Sequence, residues 1–172
     1  MDFTIRAVRP EEYEALGEVT ARAYLDDGFL TFGEDDDYLH RLRDTARRDA
    51  EAEVLVAVDA AADAAGAVLG GVTFALGGEE WADIAGPGEA EFRMLAVAHA
   101  ARGRGVGEAL VRACVDRARA AEGCARIVLS TQRSMTTAHR IYERLGFVRS
   151  PERDWKPVPG LDFTLFTYVL EL

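Results

Sequence analysis

The chain has 172 residues, of which 49% are hydrophobic, so its length and composition suit one domain with one apolar core. It carries 20 basic and 30 acidic residues, which gives a formal net charge of −10 at pH 7. Because nucleic-acid binding depends on a basic surface, this charge argues against a nucleic-acid partner. Cys114 and Cys124 lack a CxxC spacing and nearby histidine pairs, so we expect no metal site and no redox motif.

The sequence also lacks the marks of export and membrane insertion. Met1–Arg6 does not show a basic stretch followed by an apolar one, as a signal peptide would. The most apolar run, Ala64–Leu76, is shorter than the ~20 residues that span a bilayer. We therefore expect a cytoplasmic protein with no membrane partner.

Apolar periodicity predicts strands and helices along the whole chain. In the first half we expect a strand at Phe3–Val8, a helix from Pro10 through Ala23 that ends at Asp26–Gly28, a helix from Asp36 or Asp37 through Arg48, and a hairpin of Val54–Val58 and Ala67–Leu76 around a small-residue turn at Asp59–Gly66. In the second half we expect a loop at Gly77–Gly88, a strand at Glu89–Val97, a helix at Val106–Ala120, a strand at Ala125–Thr131, a helix at Thr136–Leu145, and a final antiparallel pair at Phe147–Arg149 and Phe163–Glu171. This order indicates an α+β fold, a mixed sheet with a crossover unit in the second half.

The segment between the strand at Glu89–Val97 and the following helix carries the most specific signal. It reads Arg102, Gly103, Arg104, Gly105, Val106 and Gly107, and we call it the glycine turn. Glycines let backbone amides approach a ligand closely, and the first turn of a helix leaves amides unpaired at the positive end of its dipole. Together with two arginines these amides suit a pyrophosphate, although a glycine-rich helix start that serves only close packing is the competing explanation.

Two other phosphate-binding turns fit less well. A P-loop requires a Gly-Lys-Ser/Thr sequence, which is missing here. A dinucleotide-binding turn requires G-x-G-x-x-G and an acid at the end of the next strand, whereas that strand ends in Ser130 and Thr131.

The spacing Arg102, Gly105, Gly107 resembles the coenzyme A signature of the GNAT superfamily of N-acetyltransferases, Arg/Gln-x-x-Gly-x-Gly/Ala. The segment Ala138–Phe147 resembles the helix and turn that follow the fifth strand in that superfamily. The resemblance implies one domain over residues 1–172, with a mostly antiparallel sheet of about six to seven strands that splays between strands 4 and 5 and is flanked by about four helices. It also implies acetyl-CoA as cosubstrate, bound at the glycine turn, and transfer to an amine by direct attack in a ternary complex.

The resemblance also assigns roles to particular residues. Leu95, Ala96 and Val97 lie where a bulged fourth strand pairs with the pantetheine arm, and one of their amides could polarise the thioester carbonyl. These three would look the same in an ordinary central strand.

Two side chains are candidates for proton transfer. Tyr142 is the candidate general acid for the departing thiolate, and a core tyrosine with a bonded hydroxyl is the alternative. Glu91 is the candidate general base, as in some histone acetyltransferases of the superfamily. By parity it shares a strand face with Glu89 and Arg93, and a solvated glutamate paired with Arg93 is the alternative.

The chain departs from the family pattern at Met135, where many members carry an asparagine, and Ser134 beside it could supply the polar contact instead. Asp26–Tyr38 and Ser150–Leu161 are the segments expected to wall the acceptor site. The first is rich in carboxylates, so a cationic amine is one hypothesis for the acceptor, and a solvated acidic loop is the other. Trp81 and Trp155 could line that pocket or close the edge of a core.

Three functions follow from these observations. The leading one is an acetyl-CoA-dependent N-acetyltransferase acting on a primary amine of a small molecule or of a protein or peptide. The second is a non-catalytic acyl-CoA-binding regulatory domain, and the third is an interaction module without coenzyme A affinity, which the intact glycine turn argues against. A homodimer is possible by resemblance alone.

Overall fold

The computed structural model describes residues 2–61 and 67–172. Within them the strands are β1 (Phe3–Ala7), β2 (Glu53–Asp59), β3 (Val68–Leu76), β4 (Glu89–Val97), β5 (Arg126–Thr131), β6 (Val148–Arg149) and β7 (Phe166–Glu171). The α-helices are α1 (Tyr13–Asp26), α2 (Tyr38–Arg43), α3 (Thr45–Glu51), α4 (Val106–Ala120) and α5 (Thr136–Arg144). None of the helices in these ranges is long and apolar enough to cross a membrane.

All seven strands form one sheet in the order β1-β2-β3-β4-β5-β7-β6. Only β4 and β5 pair in parallel, and every other neighbouring pair is antiparallel. The parallel pair follows from the crossover through α4, since a strand that returns by way of a helix enters the sheet in the same direction. The predicted α+β class and the mostly antiparallel sheet are therefore confirmed.

The helices cover the two faces of the sheet. On one face α4 packs Leu110 and Cys114 against Phe92, in a core that α5 completes. On the other face α1 packs Leu16 against β2, and α2 packs Leu42 toward β4. Each of these helices buries an apolar face against the sheet. Because helices lie on both faces of the sheet, the fold has three layers.

A bulge interrupts β4 in its second half. Thr73 of β3 pairs with Arg93, but the next paired position joins Gly71 to Ala96, so β4 has one residue more than β3 in this interval. Met94 takes up the change with φ of 56°. A bulge bends its strand and increases the local twist, and it confirms the bulged fourth strand implied by the family resemblance.

Some predicted boundaries differ from the structure. The helix expected from Asp36 or Asp37 through Arg48 is wrong as a single element, because it is divided into α2 and α3 at Asp44. The Asp44 carboxylate accepts a hydrogen bond from the Arg47 amide at 3.2 Å and so caps a new helix. The last strand begins at Phe166 and not at Phe163. The predicted turn at Asp59–Gly66 falls in part on residues 62–66, which lie outside the described residues.

Candidate active site

A cleft opens where β4 and β5 separate. The two strands pair at Glu89↔Arg126, Ala90↔Ile127 and Glu91↔Val128, and beyond this β4 stays with β3 while β5 stays with β7. The space between them has a volume of about 530 Å³. The sequence-based expectation of a sheet splayed between strands 4 and 5 is therefore confirmed, and the facing strand edges beyond these pairs have no strand partner across the cleft.

The cleft brings together most of the predicted site residues. Those that line it are Leu95, Ala96, Val97, Arg102, Gly103, Gly105, Val106, Gly107 and Tyr142. Arg104 and Glu91 do not belong to this lining. The strand segment and the glycine turn thus share one wall, and Tyr142 of α5 lies on the same continuous surface.

The glycine turn presents a row of unpaired amides. Gly105 caps α4 with φ of 83°, and the first helical hydrogen bond runs from the Ala109 amide to the Gly105 carbonyl at 3.0 Å. Within the described part of the chain, the amides of residues 103–108 have no acceptor. A Cβ atom added at Gly105 would meet no atom within 4 Å, so the space beside this residue is open. A helix N-terminus of this kind binds anions such as phosphate.

The two arginines of the turn point to different partners. Arg102 lines the cleft, and its Nη2 lies 2.8 Å from an oxygen of Asp27. Arg104 turns away from the cleft, with its Nη2 2.7 Å from an oxygen of Asp2. The motif suggests that both arginines contact a pyrophosphate. In this structure only Arg102 of the two is placed in the cleft to do so.

Tyr142 is buried in an aromatic cluster, with its ring centroid 5.8 Å from that of Phe92 and 5.7 Å from that of Tyr168. Its hydroxyl makes no hydrogen bond with any group in residues 2–61 or 67–172, although the residue lines the cleft. Burial raises the pKa of this phenol well above its ordinary value. Tyr142 therefore keeps its proton at neutral pH, and its hydroxyl is not committed to a protein partner.

Glu91 lies behind the cleft wall with only 1% of its surface exposed. Its Oε1 accepts hydrogen bonds from the amides of Ile84, at 2.8 Å, and Ala85, at 3.0 Å. Its Oε2 is buried and has no partner among the described residues. Burial raises the pKa of this carboxyl, and the two amides oppose the shift.

The alternative explanation for Glu91 was a solvated glutamate paired with Arg93, and it is wrong. The carboxylate is buried, and Arg93 forms its ion pair with Asp83, at 3.1 Å. The parity prediction is confirmed, because Glu89, Glu91 and Arg93 all contact the loop that spans residues 81–86.

Tyr24, near the end of α1, lines the cleft and was not predicted as a site residue from the sequence. Phe29, which also lines the cleft, belongs to the segment Asp26–Tyr38 that was expected to wall the acceptor site. Tyr24 follows Leu16 and Thr20 at helical spacing, which indicates a core-facing side and nothing more specific. Met135, at the position of the family asparagine, and Ser134 beside it both line the cleft. The Met135 sulfur accepts a hydrogen bond from the Thr131 hydroxyl at 3.6 Å.

The two tryptophans have different surroundings. Trp81 is 1% exposed and belongs to the core under α1 and α2, so it does not line the cleft. Trp155 donates from its indole nitrogen to the Ser130 hydroxyl at 2.9 Å, which fixes the segment before β7 next to a cleft residue. Among the described residues no group of three or more His, Cys, Asp or Glu side chains is placed to hold a metal ion.

Comparisons with known proteins agree with this geometry. The model of the acetyltransferase (GNAT) family matches residues 17–147. A solved GCN5-related N-acetyltransferase from Kribbella flavida is 26% identical, with 99% of this chain and 98% of that chain covered and a TM-score of 0.69. No curated protein sequence matches the chain.

Two further solved structures share the fold at lower identity. A putative acetyltransferase, yncA, from Salmonella typhimurium, solved with acetyl-CoA, is 22% identical over 100% of this chain and 95% of that chain, with a TM-score of 0.70. NAA60 from Arabidopsis thaliana, solved with a bisubstrate analogue, is 18% identical over 98% of this chain and 97% of that chain, with a TM-score of 0.73.

Proposed function

Because the chain belongs to the acetyltransferase (GNAT) family, we propose that it transfers the acetyl group of acetyl-CoA to a primary amine of a small molecule, a protein or a peptide. The observation that carries this proposal is the cleft between β4 and β5. It joins a row of unpaired amides at the glycine turn to a phenol with an uncommitted hydroxyl, Tyr142, on one continuous surface. An anion-binding turn and a proton donor in one cleft along a splayed strand suit a phosphate-bearing thioester.

Each part of the cleft has a role in this proposal. The amides of residues 103–108 hold the pyrophosphate, and Arg102 adds a charge-assisted contact. The strand segment Leu95–Val97 pairs with the pantetheine arm through its backbone, and one of its amides polarises the thioester carbonyl. The Salmonella relative was solved with acetyl-CoA and the Arabidopsis relative with a bisubstrate analogue, which supports a ternary complex here.

The proposed reaction is one direct transfer. The amine nitrogen attacks the thioester carbonyl, the new C–N bond forms, and the C–S bond breaks. Tyr142 donates its phenolic proton to the departing thiolate, which is then released as a thiol, and the phenol regains a proton from solvent. The free hydroxyl of Tyr142 in the cleft supports this role, and its raised pKa means that the phenol is protonated before the transfer begins.

The amine must lose a proton during this transfer. We propose that Glu91 accepts it through water, because its Oε2 has no partner within the described residues and burial raises the pKa of its carboxyl toward that of a useful base. A water chain is required, since Phe92 and Arg93 line the cleft and Glu91 does not.

Thiol release from acetyl-CoA in the presence of an amine panel tests the proposal. We expect turnover by the wild type and a fall of about 100-fold in kcat for Tyr142→Phe, the size of effect typical of a lost general acid. Tyr168→Phe is the matched control, because this buried neighbour already donates its hydroxyl to Glu143 at 3.0 Å and lies outside the cleft lining. Acetyl-CoA binding without thiol release from any amine would instead indicate a non-catalytic acyl-CoA-binding domain.

A further inference from the structure

An aromatic group from α1 and the following loop forms part of the cleft wall. Tyr24 lies edge-on to Phe29, with ring centroids 6.1 Å apart, and 6.3 Å from the ring of Tyr38. Tyr24 and Phe29 line the cleft. Since α1 covers the sheet face opposite α4 and α5, Tyr24 and Tyr142 reach the cleft from opposite faces of the sheet.

The hydroxyls of the five tyrosines divide into two sets. Those of Tyr13 and Tyr168 donate to the carboxylates of Asp49 and Glu143, and that of Tyr38 accepts from Arg93. Those of Tyr24 and Tyr142 make no hydrogen bond within the described residues, and these are the two tyrosines that line the cleft. Both phenols are therefore available to hydrogen-bond a ligand that enters the cleft.

Tyr24 and Tyr142 enter one cleft from opposite faces of the sheet, and the proposed transfer needs room there for two reactants. The glycine turn and the loop before α5 belong to the face on which Tyr142 lies, and they suit the phosphate-bearing thioester. The face on which α1 lies is left for the second reactant. Burial raises the pKa of Tyr24, and the nearby phenols of Tyr38 and Tyr142 raise it further, so Tyr24 stays neutral and its oxygen remains an acceptor.

We propose that Tyr24 positions the acceptor amine, with its hydroxyl oxygen accepting an N–H hydrogen bond that aims the nitrogen lone pair at the thioester carbonyl. This inference rests on the proposed function, because it assigns the second reactant of the same transfer. Tyr24 forms and breaks no covalent bond, whereas Tyr142 donates its proton to the departing sulfur from the other face of the sheet. The ring of Phe29 packs edge-on against the ring of Tyr24, and both residues line the cleft.

Steady-state kinetics of Tyr24→Phe test this assignment. The assay measures thiol release from acetyl-CoA with spermidine, phenylethylamine, free lysine and a short peptide with a free N-terminus, and the variants are compared on the amine that the wild type uses best. We expect kcat/KM for that amine to fall about 10- to 100-fold, as for a lost hydrogen bond to a reacting group, while the calorimetric Kd for acetyl-CoA stays within twofold.

Tyr13→Phe is the matched control, since it makes the same substitution on the same helix but away from the cleft, and we expect its kcat/KM to equal that of the wild type. A Tyr24→Phe enzyme that keeps the wild-type kcat/KM would overturn the inference and leave the proposed function intact. A loss of acetyl-CoA affinity in Tyr24→Phe as large as its loss of kcat/KM would also overturn the inference, because it would indicate a structural defect of the whole cleft. A wild type that binds acetyl-CoA but transfers to no amine in the panel would overturn both.

Discussion

Arg102 is the arginine of the glycine turn that lines the cleft, and its guanidinium already forms an ion pair with a carboxylate. Its two terminal nitrogens face the two oxygens of Asp27, at 2.8 and 3.4 Å. A pyrophosphate bound to the turn would compete with Asp27 for the same guanidinium. The ion pair is partly exposed to solvent, so it opposes phosphate binding only weakly.

Asp27→Asn should therefore strengthen acetyl-CoA binding by roughly two- to fivefold, the size expected for removal of one exposed ion pair. Calorimetric titration measures the change. Asp26→Asn is the matched control, because Asp26 pairs with Arg22 and His99, which lie outside the cleft lining, and we expect its Kd to match the wild type. Weaker binding by Asp27→Asn would mean that Asp27 supports the turn and does not compete for it.

Sequence alone could assign roles to single residues only where the family pattern is specific. Tyr142 was predicted because Ala138–Phe147 matches a motif, and the structure adds its free hydroxyl and its burial. Glu91 was assigned to the correct strand face, but its contacts with the amides of Ile84 and Ala85 depend on how a loop without periodicity folds. Tyr24 could not be predicted as a site residue, since α1 gives it the spacing of an ordinary core residue.

The segment before β7 is tied to β4 by a buried carboxylate. Both oxygens of Glu89 accept hydrogen bonds from Arg153, each at 2.8 Å, and one also accepts from Arg126 at 3.3 Å. Arg153 and the amide of Gly86 lower the pKa of Glu89 to about 2. Because Glu89 is 8% exposed and pairs with Arg126 of β5, this network fixes the end at which β4 and β5 stay together, opposite the end where they separate.

The pKa of Glu89 predicts how stability changes with pH. Its folded pKa, about 2, lies below the ordinary value of 4.5, so its contribution is present above pH 4.5 and is lost as the pH falls toward 2. Glu89→Gln should lower the free energy of unfolding at pH 7 by roughly 2–3 kcal/mol, and the gap from the wild type should narrow between pH 5 and pH 2. Urea unfolding at several pH values measures this gap.

Glu171→Gln is the control, because Glu171 also pairs with Arg126 but its side chain is 70% exposed, and we expect little change in stability at any pH. A gap for Glu89→Gln that stayed constant down to pH 2 would show that the carboxylate charge does not hold the network together.

Helices and strands were predictable where periodicity is long and regular, as in α4 and β4. The break between α2 and α3 was missed, because Asp44 can lie within a helix or cap the next one and only tertiary packing selects the cap. The bulge of β4 was expected from the family resemblance alone. Its residue with positive φ is Met94, and no glycine marks that position in the sequence.

For the molecule as a whole, a net charge of −10 repels a polyanion such as acetyl-CoA, but the charge of the cleft has the opposite sign. The arginines in its lining are Arg93, Arg102, Arg140 and Arg144, whereas its carboxylates are Asp27 and Glu108. The cleft is thus locally cationic within an acidic protein. The sequence indicated two arginines in the glycine turn, of which Arg102 lines the cleft, and only the folded chain adds those of β4 and α5.

The glycine turn is the feature on which the proposed function depends most. An aspartate at Gly105 would direct a carboxylate into the open space above the unpaired amides, where a pyrophosphate would bind. Gly123→Asp is a matched control, because Gly123 also has positive φ, of 76°, and open space around it, but lies beyond the end of α4. The two substitutions therefore carry the same backbone strain and the same change in charge.

Calorimetric titration of the wild type, Gly105→Asp and Gly123→Asp with acetyl-CoA is therefore the most direct test. We expect the wild type and Gly123→Asp to bind with the same Kd, and we expect Gly105→Asp to lose at least about 100-fold in affinity, since it places a carboxylate where phosphate charge must be bound. Failure of the folded wild type to bind acetyl-CoA, or equal binding by all three proteins, would contradict the assignment of the cleft to acetyl-CoA.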